Sequence, residues 1–358
     1  MPLDAPARAS FHGLVVADVR RETEDAISLG FTVPEALRAA FAFQPGQYLT
    51  LRAQIGGEDT RRSYSICSGI DDPVLRVAIK RVPDGRFSTW AHEALRAGHT
   101  LPAMPPAGRF TVPLGAARSY LAVAAGSGIT PILSLTKSIL AREPKSRVTV
   151  LYGSRSTAQI LFREELEELK SRHMTRLALH HVLSREQTDI PILHGRLDGA
   201  RMRALTRGER PDVALLCGPG ALITSVSHAL AEDGMDPAAI LSERFTADGE
   251  LRVPRPVPVL IPGAAPFATA VIVSDGVRTE VLVLEGEPIL DAALRAGLDL
   301  PYSCRAGMCS TCRARVTEGA VRMDVNYGLE PWETAAGYVL TCQAHPLPGR
   351  VVADYDQV

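Results

Sequence analysis

The sequence has little that would send the chain to a membrane or out of the cell. Its first residues, Met1-Pro-Leu-Asp-Ala-Pro-Ala-Arg8, hold no apolar core of signal-peptide length, so export through a cleaved signal is not expected. Long hydrophobic runs are also lacking. The most apolar stretch, Val253 to Val273, is broken by Pro254, Pro256, Pro258, Pro262 and Pro266, which excludes a spanning helix and marks a connector. Neither sign of charge dominates: 39 Lys and Arg against 40 Asp and Glu leave a net −1, not the balance of a general nucleic-acid binder. Cysteine is sparse, six in 358 residues. Cys67 and Cys217 lie in unrelated segments, so no disulfide framework is indicated and a reducing cytoplasm fits.

What is present is more than one core's worth of chain: 358 residues lead us to expect two to four domains. The even charge hides an asymmetry. Residues 268–358 carry 12 acidic and 7 basic side chains, against 28 acidic and 32 basic in residues 1–267. Residues 1–113 show short β-type segments between turn signals (Gly13–Val19, Ala26–Val33, Gln47–Ala53, Ser63–Cys67, Val74–Arg81), which suggests an antiparallel barrel or sandwich. From 114 to 246 strands alternate with helices: Tyr120–Ala125, helix Pro131–Ala141, Arg147–Tyr152, helix Phe162–Arg172, Leu177–Leu183, Val213–Cys217, helix Ala221–Asp233. That alternation argues for a parallel sheet in an open α/β domain. A proline-rich linker is expected over 247–267. Beyond it, in 268–358, Ser274-Asp275-Gly276 marks a hairpin between Thr269–Val273 and Thr279–Leu284, and a short helix Pro288–Ala296 stops at Gly297.

Cys304, Cys309, Cys312 and Cys342 reproduce the C-x4-C-x2-C…C spacing that holds a plant-type [2Fe-2S] cluster. Small residues flank the thiols in Tyr302-Ser-Cys304-Arg-Ala-Gly307-Met-Cys309-Ser-Thr-Cys312, so backbone amides can approach the sulfurs. A structural zinc site is the plainer alternative, but zinc usually takes two short paired knuckles, whereas here three ligands crowd one loop.

Further segments carry chemistry. Arg62-Ser63-Tyr64-Ser65, read as the start of a strand, suits a flavin: Arg62 for the pyrophosphate, Tyr64 packing on the ring or ribityl chain, Ser65 near the reactive edge; an ordinary surface strand is the alternative. Ile79-Lys80-Arg81 and Gly85-Arg86-Phe87-Ser88 reinforce it, the glycine leading into a helix start with Ser88 as candidate cap and a phosphate site at its amides. Gly126-Ser127-Gly128-Ile129-Thr130-Pro131 joins an apolar strand to an apolar helix. Its glycines admit a pyrophosphate, with Thr130 expected to cap and Pro131 to sit first; a purely structural turn is the alternative. After the next strand, Ser154 and Arg155 put a hydroxyl and a cation where an acidic residue would read the ribose of NAD, which favours NADPH unless Arg155 is only a solvated loop charge. Cys217-Gly218-Pro219 ends another strand at the same sheet edge, where Cys217 either lines a nicotinamide pocket or is simply a buried thiol. Phe245, in Glu243-Arg244-Phe245, either covers the flavin or packs in the core. The histidines show no metal-ligand spacing, and the acidic run Glu164–Glu168 reads as a solvated helix face.

Arg62-Ser-Tyr-Ser65, Gly126-Ser-Gly-Ile-Thr-Pro131, Cys217-Gly-Pro-Gly220 and the C-terminal cysteine motif together resemble the ferredoxin-NADP reductase superfamily, over nearly the whole chain. The domain order resembles the reductase components of multicomponent oxygenases. Phe162-Arg-Glu-Glu-Leu166, Ser184-Arg-Glu-Gln187, Asn326-Tyr-Gly-Leu-Glu-Pro331 and Ala335-Ala-Gly-Tyr-Val-Leu340 are similar to the reductase subunits of phenylacetyl-CoA 1,2-epoxidases. The resemblance implies an antiparallel β-barrel FAD domain, an α/β parallel-sheet NADP domain and an α+β β-grasp ferredoxin domain. It also implies FAD, NADPH and one [2Fe-2S] cluster, Ser65, Cys217 and Phe245 around the reacting ring, and electron flow to a di-iron oxygenase of aerobic phenylacetate degradation. Reductases of Rieske or steroid hydroxylase systems share these motifs, and a zinc-stabilised diaphorase or scaffold stays open from a different class. Gly328, Trp332-Glu333 and the proline-rich linker depart from the epoxidase pattern at and near the partner-facing end.

Overall fold

The computed structural model describes residues 10–207, 209–245 and 266–357. The expected linker over 247–267 lies outside the described residues except at 266 and 267, and Phe267 already hydrogen-bonds to Val283 in the C-terminal sheet. The described residues group into two compact units: one holds an N-terminal barrel and a parallel sheet, the other the C-terminal sheets.

The barrel is one six-stranded sheet built from β1 (His12–Thr23), β2 (Ala26–Thr32), β3 (Tyr48–Ile55), β4 (Glu58–Ser65), β5 (Leu75–Lys80) and β6 (Thr100–Ala103), in the order β4-β3-β6-β1-β2-β5. A bridge from Ile66 to Val77 joins the residue after β4 to β5 and so closes the two edges. Alternation decides which side chains go inside: Leu14 and Val16 are wholly buried while Val15 between them is 40% exposed. Helix α1 (Arg86–Ala94) follows the turn at Gly85 and buries Phe87 and Ala91. Gly85 caps it, and Ser88 does not. The Ser88 hydroxyl donates instead to the Gly85 carbonyl (3.0 Å) and accepts from the Val82 amide (3.3 Å), because it stands three residues inside the helix.

In the same unit β7 (Ser119–Ala125), α2 (Ile129–Arg142), β8 (Arg147–Ser154), α3 (Arg163–Arg172), β9 (Leu177–Leu183), α4 (Gly199–Leu205), β10 (Val213–Gly218), α5 (Gly220–Glu232) and β11 (Ile240–Arg244) form a five-stranded parallel sheet ordered β11-β10-β7-β8-β9. The order reverses at β7, so the crevice outside the carboxyl ends of β7 and β10 is the expected ligand edge. Barrel and sheet share apolar packing: Ala26, Cys67, Phe110 and Val112 meet Ile132, Leu135 and Cys217 in one core. Cys67 and Cys217 are both free thiols in that core.

In the second unit β12 (Ala268–Ser274), β13 (Val277–Val283), α6 (Ile289–Arg295), β14 (Arg313–Glu318), β15 (Val321–Met323), α7 (Pro331–Ala335), β16 (Tyr338–Leu340), β17 (Ala344–Pro346) and β18 (Gly349–Asp354) make a five-stranded sheet, β13-β12-β18-β14-β16, and a two-stranded one, β15-β17. The hairpin turn takes Asp275 and Gly276 to φ of 52° and 74°, the paired left-handed conformation that the Asp-Gly dipeptide favours. Helix α6 buries Ile289, Leu290, Ala292 and Ala293 and ends at Gly297, whose φ of 87° lets the Leu298 amide return to the Ala293 carbonyl at 3.0 Å. Among the described residues, no helix is long and apolar enough to cross a membrane.

Candidate functional site

The cysteine loop runs from α6 to β14 and is built on left-handed backbone. Arg305, Gly307 and Ser310 have φ of 54°, 74° and 54°, which turns consecutive amides toward the sulfurs. The Ala306 and Met308 amides each lie 3.4 Å from Cys304 Sγ, the Cys304 amide 3.4 Å from Cys309 Sγ, and the Thr311 hydroxyl 3.2 Å from the same sulfur. Gln343 donates to Cys342 Sγ at 3.6 Å and to the Arg305 carbonyl at 3.0 Å, tying the lone cysteine's turn to the loop.

The thiols meet as two hydrogen-bonded pairs, Cys304 with Cys309 and Cys312 with Cys342. The Cys309 partner holds Cys304 down to about 6 against burial, with help from the Ala306 and Met308 amides, while Cys309 is pushed well above the ordinary thiol range. Cys312 lowers Cys342 in the same way and is itself raised. Among the described residues no three His, Cys, Asp or Glu side chains gather as ligands of a single ion. The four thiols, with amides and a hydroxyl aimed at their sulfurs, fit an iron-sulfur cluster, which Cys304, Cys309, Cys312 and Cys342 would hold.

Segment 326–337 packs on this loop. The Tyr327 amide donates to the Gly307 carbonyl (3.0 Å), and Ser310 Oγ donates to the Gly328 carbonyl (2.6 Å). A Cβ at Gly328 would sit 2.9 Å from the Met308 carbonyl, so close approach to the loop accounts for glycine there. Glu333, expected at the exposed tip, is fully buried and pairs with Arg313 at 2.7 Å, while its neighbour Trp332 is 60% exposed.

In the barrel, Arg62-Ser63-Tyr64-Ser65 forms the last four residues of β4, not the start of a strand, because the strand begins at polar Glu58 after the turn at Gly56 and Gly57. The Tyr64 ring lies 5.6 Å from Phe87. Arg86 pairs with Glu58, Lys80 reaches Asp25 at 3.4 Å, and Ile79 is buried in the barrel core. The first-turn amides of α1 carry no side-chain cap, which leaves them as donors for an anion such as a flavin pyrophosphate.

The glycine loop is a single 3-10 turn, Gly126–Gly128, leading straight into α2. Gly126 has φ of 55° with open space around the missing Cβ, whereas a Cβ at Gly128 would run into the Cys217 carbonyl. The glycines therefore admit a ligand at one position and a neighbouring strand at the other. Thr130 does not cap α2: it is the second helical residue and its hydroxyl donates to the Ser127 carbonyl at 2.9 Å. Pro131 is third, not first, where its missing N–H is still one the helix does not use. The buried Tyr152 hydroxyl donates to the Gly126 carbonyl (2.9 Å) and accepts from the Leu161 amide (3.2 Å), bracing the turn.

Ser154 ends β8 buried and Arg155 follows exposed. The Arg185 amide donates to the Arg155 carbonyl at 2.8 Å, and Glu186 accepts from the Thr157 amide and hydroxyl at 2.8 and 2.6 Å. A second exposed arginine thus stands beside the first.

At the crevice the structure brings together Ser65, Cys217, Gly218 and Phe245, and adds a residue that sequence reasoning passed over. Cys217 is opposite Glu243 in the parallel register of β10 and β11, and the Phe245 amide donates to the Gly218 carbonyl at 3.0 Å. The Ser65 hydroxyl donates to Glu243 Oε2 at 3.4 Å. Burial raises the Glu243 carboxyl to about 7, partly offset by that hydroxyl, so the group holds a proton close to neutrality. Burial also pushes the Cys217 thiol well up, which keeps it neutral. Pro219 leads into α5, and Phe245 packs against the shared core while remaining half-buried.

Family models match these three parts in order: an oxidoreductase FAD-binding domain over residues 14–112, an oxidoreductase NAD-binding domain over 122–228, and a 2Fe-2S iron-sulfur cluster binding domain over 272–347. A component of the 1,2-phenylacetyl-CoA epoxidase of Escherichia coli strain K12 is 44% identical over 97% of this chain and 98% of its own length. The chain belongs to the ferredoxin-NADP reductase superfamily, among the oxygenase reductases. The ferredoxin reductase component of a 3-ketosteroid-9-alpha-monooxygenase from Rhodococcus rhodochrous is 35% identical over 96% of both chains. In fold, the reductase matches phthalate dioxygenase reductase with a TM-score of 0.59 at 21% identity, over 96% of this chain and 98% of that one. It is an oxidoreductase with FAD, NAD-type and [2Fe-2S] domains that passes electrons from reductase to ferredoxin parts and on to an oxygenase.

Proposed function

We propose that this reductase takes electrons from NADPH and delivers them to the di-iron oxygenase of a phenylacetyl-CoA epoxidase. A flavin in the barrel would convert the nicotinamide's hydride into the single electrons that an iron-sulfur cluster takes up. The rest of the work belongs to the chain. Arg62 and the open amides of α1 would hold the flavin pyrophosphate, and Tyr64 would flank the ring or ribityl chain. Gly126 and Gly128 would admit the nucleotide, with Ser154, Arg155 and Arg185 placed for its 2′-phosphate. Ser65, Glu243 and neutral Cys217 would line the hydride crevice, the Glu243 carboxyl holding a proton up to about pH 7, with Phe245 at its border. Cys304, Cys309, Cys312 and Cys342 would carry the cluster.

The observation that carries the choice of partner is the full-length identity to the epoxidase component, 44% against 35% for the steroid-hydroxylase component. Tyr327 and Trp332, 50% and 60% exposed on the segment packed over the cysteine loop, supply an apolar surface where electrons would leave. Purified reductase should support NADPH oxidation coupled to phenylacetyl-CoA epoxidation when mixed with the di-iron oxygenase subunits. Coupling only to a Rieske-type steroid hydroxylase would replace this reading with the second.

A further inference from the structure

Helix α2 carries Ser134, Lys137, Ser138 and Arg142 along one face, a polar stripe that ordinary amphipathic reasoning would put in water. Ser134 and Ser138 are instead wholly buried. What covers them is the loop at Ser68–Asp72, only three residues beyond Ser65. The Ser134 hydroxyl donates to the Ser68 carbonyl at 2.6 Å, and Ser138 Oγ accepts from the Ile70 amide at 3.0 Å while donating to the Ser134 carbonyl at 2.7 Å. Lys137 pairs with Asp72 and, at 2.5 Å, with Glu165 at the start of α3; Arg142 donates to Asp71 at 2.9 Å. The loop is shaped for this contact. Asp72 accepts from the Gly69 amide at 2.9 Å, and a Cβ at Gly69 would come within 2.9 Å of Lys137 Cβ, so the lysine stem lies directly on the loop backbone. Burial opposes the Lys137 charge, but the Asp72 and Glu165 hydrogen bonds outweigh it and raise the ammonium's pKa.

The two ends of this assembly matter. The loop is the direct continuation of the strand end at Arg62–Ser65, and α2 begins at the Gly126–Gly128 turn, so the contacts tie together two stretches that each lead directly to one of these segments. The geometry points to a latch: Ser68–Asp72 clasped by Ser134, Lys137, Ser138 and Arg142 sets how far the nucleotide loop stands from the flavin-facing strand, with Lys137 as a positioning residue for hydride transfer. This rests on the proposed assignment of those two segments to nucleotide and flavin. Hydride transfer is sensitive to errors of an ångström in donor position, so loosening the latch should slow the step even where binding persists.

The test uses full-length holoprotein. In Lys137→Met, flavin content and the dissociation constant of NADPH should stay within about twofold of the parent, while the limiting rate of flavin reduction falls about tenfold. Amide exchange at Gly69–Asp72 should rise at least about tenfold, and Lys137→Arg should restore both. If Lys137→Met sheds flavin, Asp72→Asn, which leaves the Lys137–Glu165 pair intact, should show the same two changes to a smaller degree. Faster exchange at 68–72 with an unchanged limiting rate would overturn the positioning role, and unchanged exchange would overturn the latch. A weakened NADPH constant with an unchanged limiting rate would refute positioning and place the effect on nucleotide binding alone.

Discussion

At the scale of single residues, each site answers to one substitution. Cys309→Ser removes the partner of Cys304 and should abolish the iron-sulfur absorbance, yet leave NADPH-dependent dye reduction within about twofold, since a dye can take electrons ahead of the cluster. Arg155→Ala should weaken NADPH at least about tenfold and NADH less than twofold, because only the 2′-phosphate offers a charged partner; equal losses in nucleotide titrations would refute that assignment. Glu243 gives a pH prediction. Its carboxyl holds a proton to about 7 in the folded protein but releases it near the ordinary 4.5 when unfolded, so between those values the native state binds more protons. The group's contribution is therefore most favourable below pH 4.5 and declines as pH rises to about 7. Denaturation curves across that range should show the decline flattened in Glu243→Gln, and an unaltered slope would mean the group titrates normally.

Among elements, the closest approach is between the glycine turn and β10. Gly128→Ala would force a methyl into the Cys217 carbonyl, where strand backbone cannot give way, and should cost about 1–3 kcal/mol. Weaker nucleotide binding should accompany the lowered Tm, whereas Gly126→Ala, in open space but at positive φ, should be the milder change. Where the backbone is set locally, the sequence was readable: the Asp275-Gly276 hairpin, the stop at Gly297 and the cysteine loop follow from residues within a few positions of one another. Caps were not. Ser88 and Thr130 are cap-type residues that the structure places inside the first turn, because Gly85 and Gly128 turn the chain earlier. Helix α4 and β11 also escaped notice, being short elements defined by their neighbours. Glu243 escaped with β11, since its surroundings come from register beside Cys217 and contact with Ser65, 178 residues away. The buried serines of α2 are the same lesson reversed: a polar stripe faced a loop that only the tertiary fold brings to it.

For the whole molecule the account is an ordered path of electrons. The acidic balance of residues 268–358 and the basic balance of residues 1–267 lead to a salt prediction: raising ionic strength should slow flavin-to-cluster transfer while leaving flavin reduction by NADPH nearly constant. A cluster step indifferent to salt would show that charge has no part in it, and tethering within one chain already supplies a high effective concentration. The order itself is tested most directly by anaerobic stopped-flow mixing of the holoprotein with NADPH, following flavin and cluster absorbance separately in the parent and in Cys309→Ser. The account predicts flavin bleaching first, cluster reduction second, and only the first phase, at an unchanged rate, in the variant. Cluster reduction that precedes flavin bleaching, or loss of flavin bleaching in Cys309→Ser, would contradict it.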